Sequence, residues 1–320
     1  MPCYHPIQAH RFKYRSGNYS APMFSLPADL PRYLAAGIKL EQIALPCGNC
    51  IGCRLEKSRE WAVRCVYESS LYKENSFITL TYSDENLPEN KSLVRKDLQD
   101  FFKRLRIAVN RKLKKKGLPS KKIRYYACGE YGEQTERPHY HAILFNHQFD
   151  DLKEITKLTE HGLSRFKHSQ FLSDVWGKGI VSVGDMTFES AAYVARYCLK
   201  KINGPAAESH YNGRVPEFSA MSLKPGIAKT WWEKYKDDVI NNDCTFSRGR
   251  PAPVPRYFDK CLEKIDAELL KSIKELRASK IKDPYDFTFE AFIKLRHKED
   301  AKKSSQKKIS RGGDFSEEIA

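Results

Sequence analysis

The chain has 320 residues, enough for one large domain or two smaller ones. Its 56 Lys plus Arg outnumber 40 Asp plus Glu, and the net charge of +16 points to a polyanionic partner, nucleic acid first and an anionic membrane surface second. No apolar run approaches the roughly 18 residues of a membrane span, Met1-Pro2-Cys3-Tyr4-His5 has no signal-peptide pattern, and the nine cysteines cluster as ligands or core residues of a reducing cytosol rather than as a disulfide framework.

Residues 1–46 are rich in Pro, Tyr and Gly with little periodicity, and are expected to be irregular with at most short strands. Cys47-Gly48-Asn49-Cys50-Ile51-Gly52-Cys53 then places three cysteines and two glycines in a pattern that wraps a metal. A structural Zn²⁺ needs four ligands. Cys3 is the first choice for the fourth, followed by Cys65, His5 and His10. An iron–sulfur cluster is the rival, because Cys-x2-Cys-x2-Cys opens a ferredoxin-type run. The cysteine that such a run wants at position 57 is Lys57 here. The plain alternative is three reduced thiols in a loop, which the glycine punctuation disfavours.

Residues 54–73 read as a helix with an uneven apolar face around Trp61, Cys65 and Leu71. Phe77–Tyr82 alternates as a strand of β-branched and aromatic residues, and Ser83–Pro88 breaks it. Residues 95–116 form a long helix whose Leu98, Phe101, Phe102, Leu105, Val109 and Leu113 make a core stripe. Its basic end, Lys112 with Lys114, Lys115 and Lys116, complements the helix dipole. It reads either as a solvated charge run or as a contact to a DNA backbone.

A second strand, Ile123–Glu130, is followed by a turn at Gly132 and a third strand, Arg137–Phe145, for which Pro138 suits the start. Strand positions i and i+2 face one side. His139 and His141 therefore present two imidazoles together, with Tyr140 on the other side. If the two strands pair antiparallel, Glu130 sits beside His139. Two histidines and a carboxylate leave coordination positions open, which suits catalysis better than a structural site. A lone His-x-His would more often be ordinary core or surface.

Residues 150–176 read as mostly helix and loop, 179–185 as a short strand, and 188–201 as a helix. On that helix Tyr193 and Tyr197 are four apart and share a face, with Arg196 and Lys200 beside it at the same spacing. After Gly204-Pro205 the chain reads as helix over 225–240, a Pro-rich stretch from Pro251 to Pro255, helix over 257–280, and a polar end from Lys302 that is expected to be disordered. No repeat is found. The absence of a Gly-x4-Gly-Lys-[Ser/Thr] P-loop argues against a built-in helicase.

These groups have a joint chemistry. A metal held by oxygen and nitrogen ligands polarises a phosphodiester oxygen, and a tyrosine oxygen can attack the phosphorus to give a covalent intermediate. Free tyrosine titrates near 10, and a neighbouring cation such as Arg196 or Lys200, or the metal, favours the phenolate. Packed helix aromatics are the alternative role for the two tyrosines.

The order of the motifs resembles the HUH endonuclease superfamily. Phe77–Tyr82 matches its first motif, Pro138-His139-Tyr140-His141 its metal motif, and Tyr193-Val194-Ala195-Arg196-Tyr197-Cys198-Leu199-Lys200-Lys201 the two-tyrosine motif of rolling-circle initiators. More narrowly, the chain resembles the replication initiation proteins of gokushovirus-type microviruses, which are small single-stranded-DNA phages. The Pro46-Cys47-Gly48-x-Cys50 knuckle and Gly129-Glu130-Tyr131-Gly132 belong to that resemblance, which covers residues 45–201.

The resemblance implies an α+β fold, with helices packed on an antiparallel central sheet in a ferredoxin-like or RRM-like HUH palm. The expected division is an N-terminal segment with the Cys-rich knuckle and a helix (1–74), an endonuclease core (75–204), a mostly helical region (205–300) and a disordered tail (301–320). The sheet would hold Mg²⁺ or Mn²⁺ on His139, His141 and Glu130 beneath a helix carrying the nucleophiles Tyr193 and Tyr197. Arg196, Lys200, Lys201, Lys114, Lys115 and Lys116 would touch DNA, and Cys3, Cys47, Cys50 and Cys53 would hold the structural Zn²⁺. The implied reaction nicks one strand of the origin, keeps the 5′ phosphate on tyrosine, leaves a 3′-OH primer and later rejoins the displaced strand. The partners would be phage single-stranded and replicative-form DNA with host polymerase and helicase, in the cytoplasm of the bacterial host and without a membrane. The rivals are a non-catalytic protein that coats single-stranded nucleic acid, and a relaxase or transposase of the same superfamily.

Overall fold

The structure, a computed structural model, describes residues 3–132, 135–159, 162–197, 202, 206–280 and 287–310, and within them the side chains other than those of 157–159, 162–165, 197, 206 and 306–310. The described residues fall into two compact units, one within Met1–Glu56 and Glu268–Gly312, the other within Lys57–Ala267.

In the first unit, strands β1 (Ile7–Lys13) and β2 (Lys39–Leu45) pair antiparallel from Ile7 opposite Leu45 to Lys13 opposite Lys39, with the short helix α1 (Leu30–Ala35) between them. This hairpin is more regular than the sequence suggests. Its strands interleave charged residues, and the cross-strand pair Arg11–Glu41 at 2.9 Å replaces an apolar alternation that could have been read. Helix α2 begins at Ile51 and runs to Ser69.

The second unit is organised by strand β3 (Asn75–Thr81), helix α3 (Arg95–Lys115), and strands β4 (Arg124–Tyr131) and β5 (Pro138–Phe145). Strands β6 (Leu152–Thr159) and β7 (Gly162–Ser169) follow, then helix α4 (Gln170–Trp176), strand β8 (Val181–Gly184) and helix α5 (Phe188–Tyr197). Beyond these come helix α6 (Ala206–Tyr211), strand β9 (Phe218–Met221), helix α7 (Lys229–Asn242), the short strands β10 (Thr245–Ser247) and β11 (Arg250–Ala252), and helix α8 (Arg256–Glu263). Helices α9 (Ala267–Ser279) and α10 (Phe289–Ser310), which fall within the first unit apart from Ala267, complete the described chain. Residues 301–310, expected to begin a disordered tail, are the last turns of α10.

A seven-stranded sheet in the order β6-β7-β8-β3-β5-β4-β9 dominates the second unit, and every pairing in it is antiparallel. The expected α+β architecture is therefore present. The segment 150–176 corrects the sequence reading: most of it is the β6–β7 hairpin, and only its last turns are helix. Leu152, Ile155 and Leu158 recur every third residue, which mimics a helical period. Strand pairing overrides that local pattern at the sheet edge. The sheet also takes β9 from a region read as mostly helical; four residues are too few to announce a strand.

Both faces of the sheet are covered, as alternation along central strands requires. One face sends Ile78, Leu80, Tyr82, Tyr140, Ala142 and Leu144 against the α3 stripe of Leu98, Phe101, Phe102, Leu105 and Val109 and against Trp176. Burying each such large side chain contributes about 1.5–3 kcal/mol. The other face sends Tyr126, Cys128, Ile143 and Phe145 against Ala62 and Cys65 of α2 and Ala191, Val194 and Ala195 of α5.

A buried ion pair fastens α2 to this sheet. Glu68 on α2 and Arg124 at the start of β4 are 2.5 Å apart, with both side chains almost wholly buried. The second carboxylate oxygen of Glu68 accepts the Ala228 N–H at 2.6 Å, just before α7. Removing one member leaves the other charge buried and uncompensated, which typically costs about 3–5 kcal/mol. Glu68→Ala should therefore lower unfolding free energy in urea by about that amount, with part recovered in Glu68→Leu/Arg124→Leu. A loss below about 1 kcal/mol for the single variant, the range of an exposed pair, would refute this role.

Candidate active site and cysteine cluster

The pairing of β4 with β5 places Glu130 opposite His139 and Cys128 opposite His141. On the other side of β5, Thr79 lies opposite His141. Because His139 and His141 are two apart, the rings share a face and meet edge to face with centroids 4.9 Å apart. Glu130 Oε1 lies 3.1 Å from His139 Nε2 and 2.7 Å from His141 Nε2. Glu130, His139 and His141 are all buried. Burial by itself would raise the Glu130 pKa, but the charge of His141 and hydrogen bonds from both histidines hold it below the usual carboxylate range.

Each imidazole is oriented through its other nitrogen. His139 Nδ1 is 3.0 Å from the Arg137 carbonyl and donates to it, so the Nε2 proton that faces Glu130 is the one a bound cation would displace. His141 Nδ1 is 2.9 Å from Thr79 Oγ1. Such outer partners are the usual companions of metal-ligating histidines. One ligand atom from each of Glu130, His139 and His141 lies within 4.8 Å of the others. Glu130 Oε2 is buried with no hydrogen-bond partner. A buried carboxylate with one oxygen against two imidazoles and the other without a partner suits a divalent cation, so these residues fit the metal expected from the sequence.

Helix α5 lies over the same face of the sheet. The Tyr193 ring meets the His141 ring edge-on at 5.1 Å, and the Phe77 ring at 6.2 Å. Phe77 also stacks on His141 at 5.6 Å. Tyr193 is thus brought to the trio. Tyr197 is the last residue of α5, one turn on, and its side chain lies outside the described part. Arg196 is exposed on α5, while Lys200 and Lys201 lie outside the described residues. Lys114, Lys115 and Lys116 are exposed at the end of α3, a helix that packs on the opposite face of the sheet, so they do not join this site. Lys112 and Lys116 approach Asp150 at 3.2 and 3.9 Å, as a solvated charge run would.

Sequence reasoning missed Thr79, Phe77 and Arg137. Their strand positions opposite or beside the histidines were the available signal. Arg137 also bridges Tyr82 O (2.9 Å) and Asp84 (2.7 Å), holding the start of β5 against the end of β3. Tyr140 points away as expected, and its hydroxyl meets Tyr82 Oη at 2.8 Å in the opposite core.

The first unit holds a second constellation. Cys3, Cys47, Cys50 and Cys53 each contribute one sulfur to a group with all separations within 4.8 Å. Peptide N–H groups point at these sulfurs: Cys47 to Cys3 and Cys50 to Cys47, each at 3.3 Å, and Cys53 to Cys50 at 3.4 Å. Tyr4 N–H also donates to Cys50 Sγ at 3.3 Å. Burial would raise the Cys50 thiol, but the N–H groups of Cys53 and Tyr4 bring it down to about 7. Burial raises Cys3 and Cys53, and the latter is pushed further by its sulfur neighbours. Four sulfurs this close resist sharing negative charge without a cation among them, and a tetrahedral Zn²⁺ suits them. Among the weaker candidates for a fourth ligand, Cys65 lies in the core under the sheet, and His5 is 2.6 Å from the buried Glu299 of α10.

Residues 75–202 match the family described as Replication-associated protein ORF2/G2P. Over 272 residues the chain is 34% identical to Replication-associated protein VP4 of Bdellovibrio phage phiMH2K, covering 81% of this chain and 82% of that protein. It is 35% identical to Replication-associated protein ORF2 of Spiroplasma virus 4 over 289 residues, 87% of this chain and 86% of that protein. Replication-associated protein ORF4 of Chlamydia phage 1 is 28% identical over 237 residues, 72% of this chain and 56% of that protein. No solved structure shows significant similarity to it.

Proposed function

The chain belongs to the family of microvirus replication-associated proteins, and from that premise we propose that it initiates replication by nicking one strand of the phage origin through tyrosine transesterification. The observation that carries this reading is the seating of Tyr193 against His141 of the Glu130–His139–His141 trio.

In this reading a tyrosine oxygen attacks an origin phosphodiester. The new tyrosine Oη–P bond forms as the P–O3′ bond breaks. The tyrosine proton leaves to water, and the departing 3′ oxygen takes up a proton. The products are a 5′-phosphotyrosine and a 3′-OH that a host polymerase can extend, with a host helicase unwinding ahead. A Mg²⁺ or Mn²⁺ held by His139, His141 and Glu130 would supply charge stabilisation at the phosphate. The Tyr193 ring covers His141; a change in its side-chain torsion would open the ligand set and bring its hydroxyl toward the phosphate.

A phage DNA origin in the infected cell is the substrate this family membership suggests. Among the described residues no helix is long and apolar enough to cross a membrane. Incubation of the full chain with Mn²⁺ and single-stranded origin oligonucleotides tests the reaction. A protein–DNA adduct that survives a denaturing gel is expected. The non-catalytic coating protein predicts binding without an adduct. An adduct formed equally well on unrelated phage or plasmid origins would point to a relaxase or transposase.

The same proposal includes one structural Zn²⁺ on Cys3, Cys47, Cys50 and Cys53, supported by their proximity and by the peptide N–H groups directed at the sulfurs. Elemental analysis of chain purified without chelator should give one zinc per chain. Cys50→Ser should lose the metal and make the first unit susceptible to proteolysis, since structural zinc binding is coupled to folding. Absence of zinc, or iron with visible absorption, would overturn the assignment.

A further inference from the structure

The β10–β11 hairpin is exposed, hydrogen-bonded at its base and tied to the helix that carries the tyrosines. Its two-residue turn, Arg248-Gly249, has φ values of 52° and 72°. Both positive values match the hairpin turn whose first position favours Asn, Asp or Gly. An Arg in that conformation is disfavoured, and such an outlier points to a use for the side chain. Arg248 reaches Glu189 in the first turn of α5, and its guanidinium lies 4.8 Å from the Phe188 ring centroid. Glu189 is four residues before Tyr193, so both lie on one helix face about 6 Å apart along the axis.

The base of the hairpin is fixed as firmly. Phe246 N–H donates to Tyr67 Oη at 2.7 Å, and the Tyr67 hydroxyl lies 3.1 Å from the Phe246 carbonyl. The Tyr67 ring stacks on Trp231 with centroids 3.7 Å apart. Thr245 Oγ1 lies 3.2 Å from the carbonyls of both Ala252 and Pro253. With its backbone held this way, the Phe246 side chain is nevertheless 56% exposed. Phe246 pairs with Pro251, and Ser247 with Arg250, so Phe246 and Arg250 occupy opposite faces of the ribbon. Arg250 is exposed, and Arg248 is at the tip.

We propose that this hairpin binds the single-stranded DNA that flanks the cleavage site, with a base stacked on Phe246 and Pro251 and the sugar–phosphate backbone held by Arg248 and Arg250. An exposed aromatic side chain with Arg248 at the adjoining tip and Arg250 on the reverse face lets a strand cross the end of the hairpin from stack to cations, the combination by which proteins hold single strands without reading sequence. Because the backbone is already ordered, binding loses little conformational freedom at the hairpin. The net charge of +16 selects a polyanion over an acid-poor protein partner, and the tether to Glu189 sets the strand beside Tyr193. Arg248 would exchange Glu189 for a phosphate as the strand arrives. This rests on the strand-cleaving reading for the identity of the substrate.

The test is therefore made without chemistry. Fluorescence anisotropy with a labelled single-stranded origin oligonucleotide is measured on the full chain carrying Tyr193→Phe and Tyr197→Phe. Adding Phe246→Ala should weaken binding about 5- to 150-fold, the range of one base–aromatic stack, while Phe246→Trp should restore it. Adding Arg250→Ala should reduce the slope of log affinity against log salt by about 0.7, the loss of one phosphate contact on a single strand. Thermal unfolding should be unchanged in both, because the side chains are exposed. Unchanged affinity in Phe246→Ala overturns the proposal, and is also the result expected if the hairpin serves a protein partner. If the wild-type chain fails to nick but Phe246→Ala still loses affinity, the hairpin proposal stands and the cleavage reading falls. Normal nicking with unchanged affinity overturns the hairpin alone.

Discussion

Replacing His139 or His141 by Asn is expected to reduce origin nicking about 10³-fold at low Mn²⁺, since a metal contributes several kcal/mol to charge stabilisation at phosphate. Asn is preferred to Ala because the trio is buried, with Glu130, His139 and His141 at 1, 3 and 0% exposure. Truncation to Ala would take one of its two donors from the buried Glu130 carboxylate and add a folding defect to the chemical one. Asn keeps a donor near Glu130 but is a poorer metal ligand. A second readout separates the two effects: Mn²⁺ should raise the melting temperature of the wild type and not of either variant. Glu130→Gln should behave similarly, with a smaller loss that higher Mn²⁺ partly recovers. Thr79→Val should cost less again, because it removes only the partner at His141 Nδ1, 2.9 Å away. Unchanged nicking at low Mn²⁺ in both histidine variants would remove the trio from the mechanism.

The central hairpin was legible because two local rules agreed. The period-2 face of Pro138–Phe145 aligned His139 with His141, and the turn at Gly132 set a register in which Glu130 meets His139. The α3 stripe was legible for the same reason, since Leu98, Phe101, Phe102, Leu105 and Val109 keep a helical period and are buried together. Cys3 is a different case. Forty-four residues separate it from Cys47, and only the chemical need for a fourth sulfur suggested it. What stayed hidden depends on pairing between distant segments. The β6 strand carries a helix-like spacing, β1 and β2 alternate charges, and β9 is four residues long. Thr79 and Phe77 lay in a strand that was recognised, but their place beside His141 follows from the β3–β5 register, which no local pattern specifies. The hairpin tip at Arg248 was hidden too, because an Arg-Gly turn with positive φ at both residues departs from the usual turn chemistry.

The double variant Tyr193→Phe/Tyr197→Phe is expected to form no covalent adduct with a single-stranded origin oligonucleotide, while each single variant still forms one. The two residues are one turn apart on α5, so their Cα atoms are separated by about 6 Å along the axis. Tyr193 meets the ring of His141, and the two-nucleophile proposal gives the hydroxyl one turn further along the helix access to the same phosphate. Two nucleophiles within reach of one ligand set suit a reaction that must end as well as begin. One tyrosine can retain the 5′ end through a round of synthesis while the other cuts the regenerated origin. The freed 3′-OH then attacks the first phosphotyrosine, its P–O bond to tyrosine breaks, and the displaced strand is closed. A chain with a single nucleophile would need a second subunit for that step. Peptide mapping of the wild-type adduct should therefore find DNA on both tyrosines. Each Phe variant should complete a first cleavage and accumulate linear displaced strands instead of circles. If Tyr193→Phe alone abolishes cleavage and Tyr197→Phe supports repeated rounds with circular products, Tyr193 is the sole nucleophile and the division of labour is wrong.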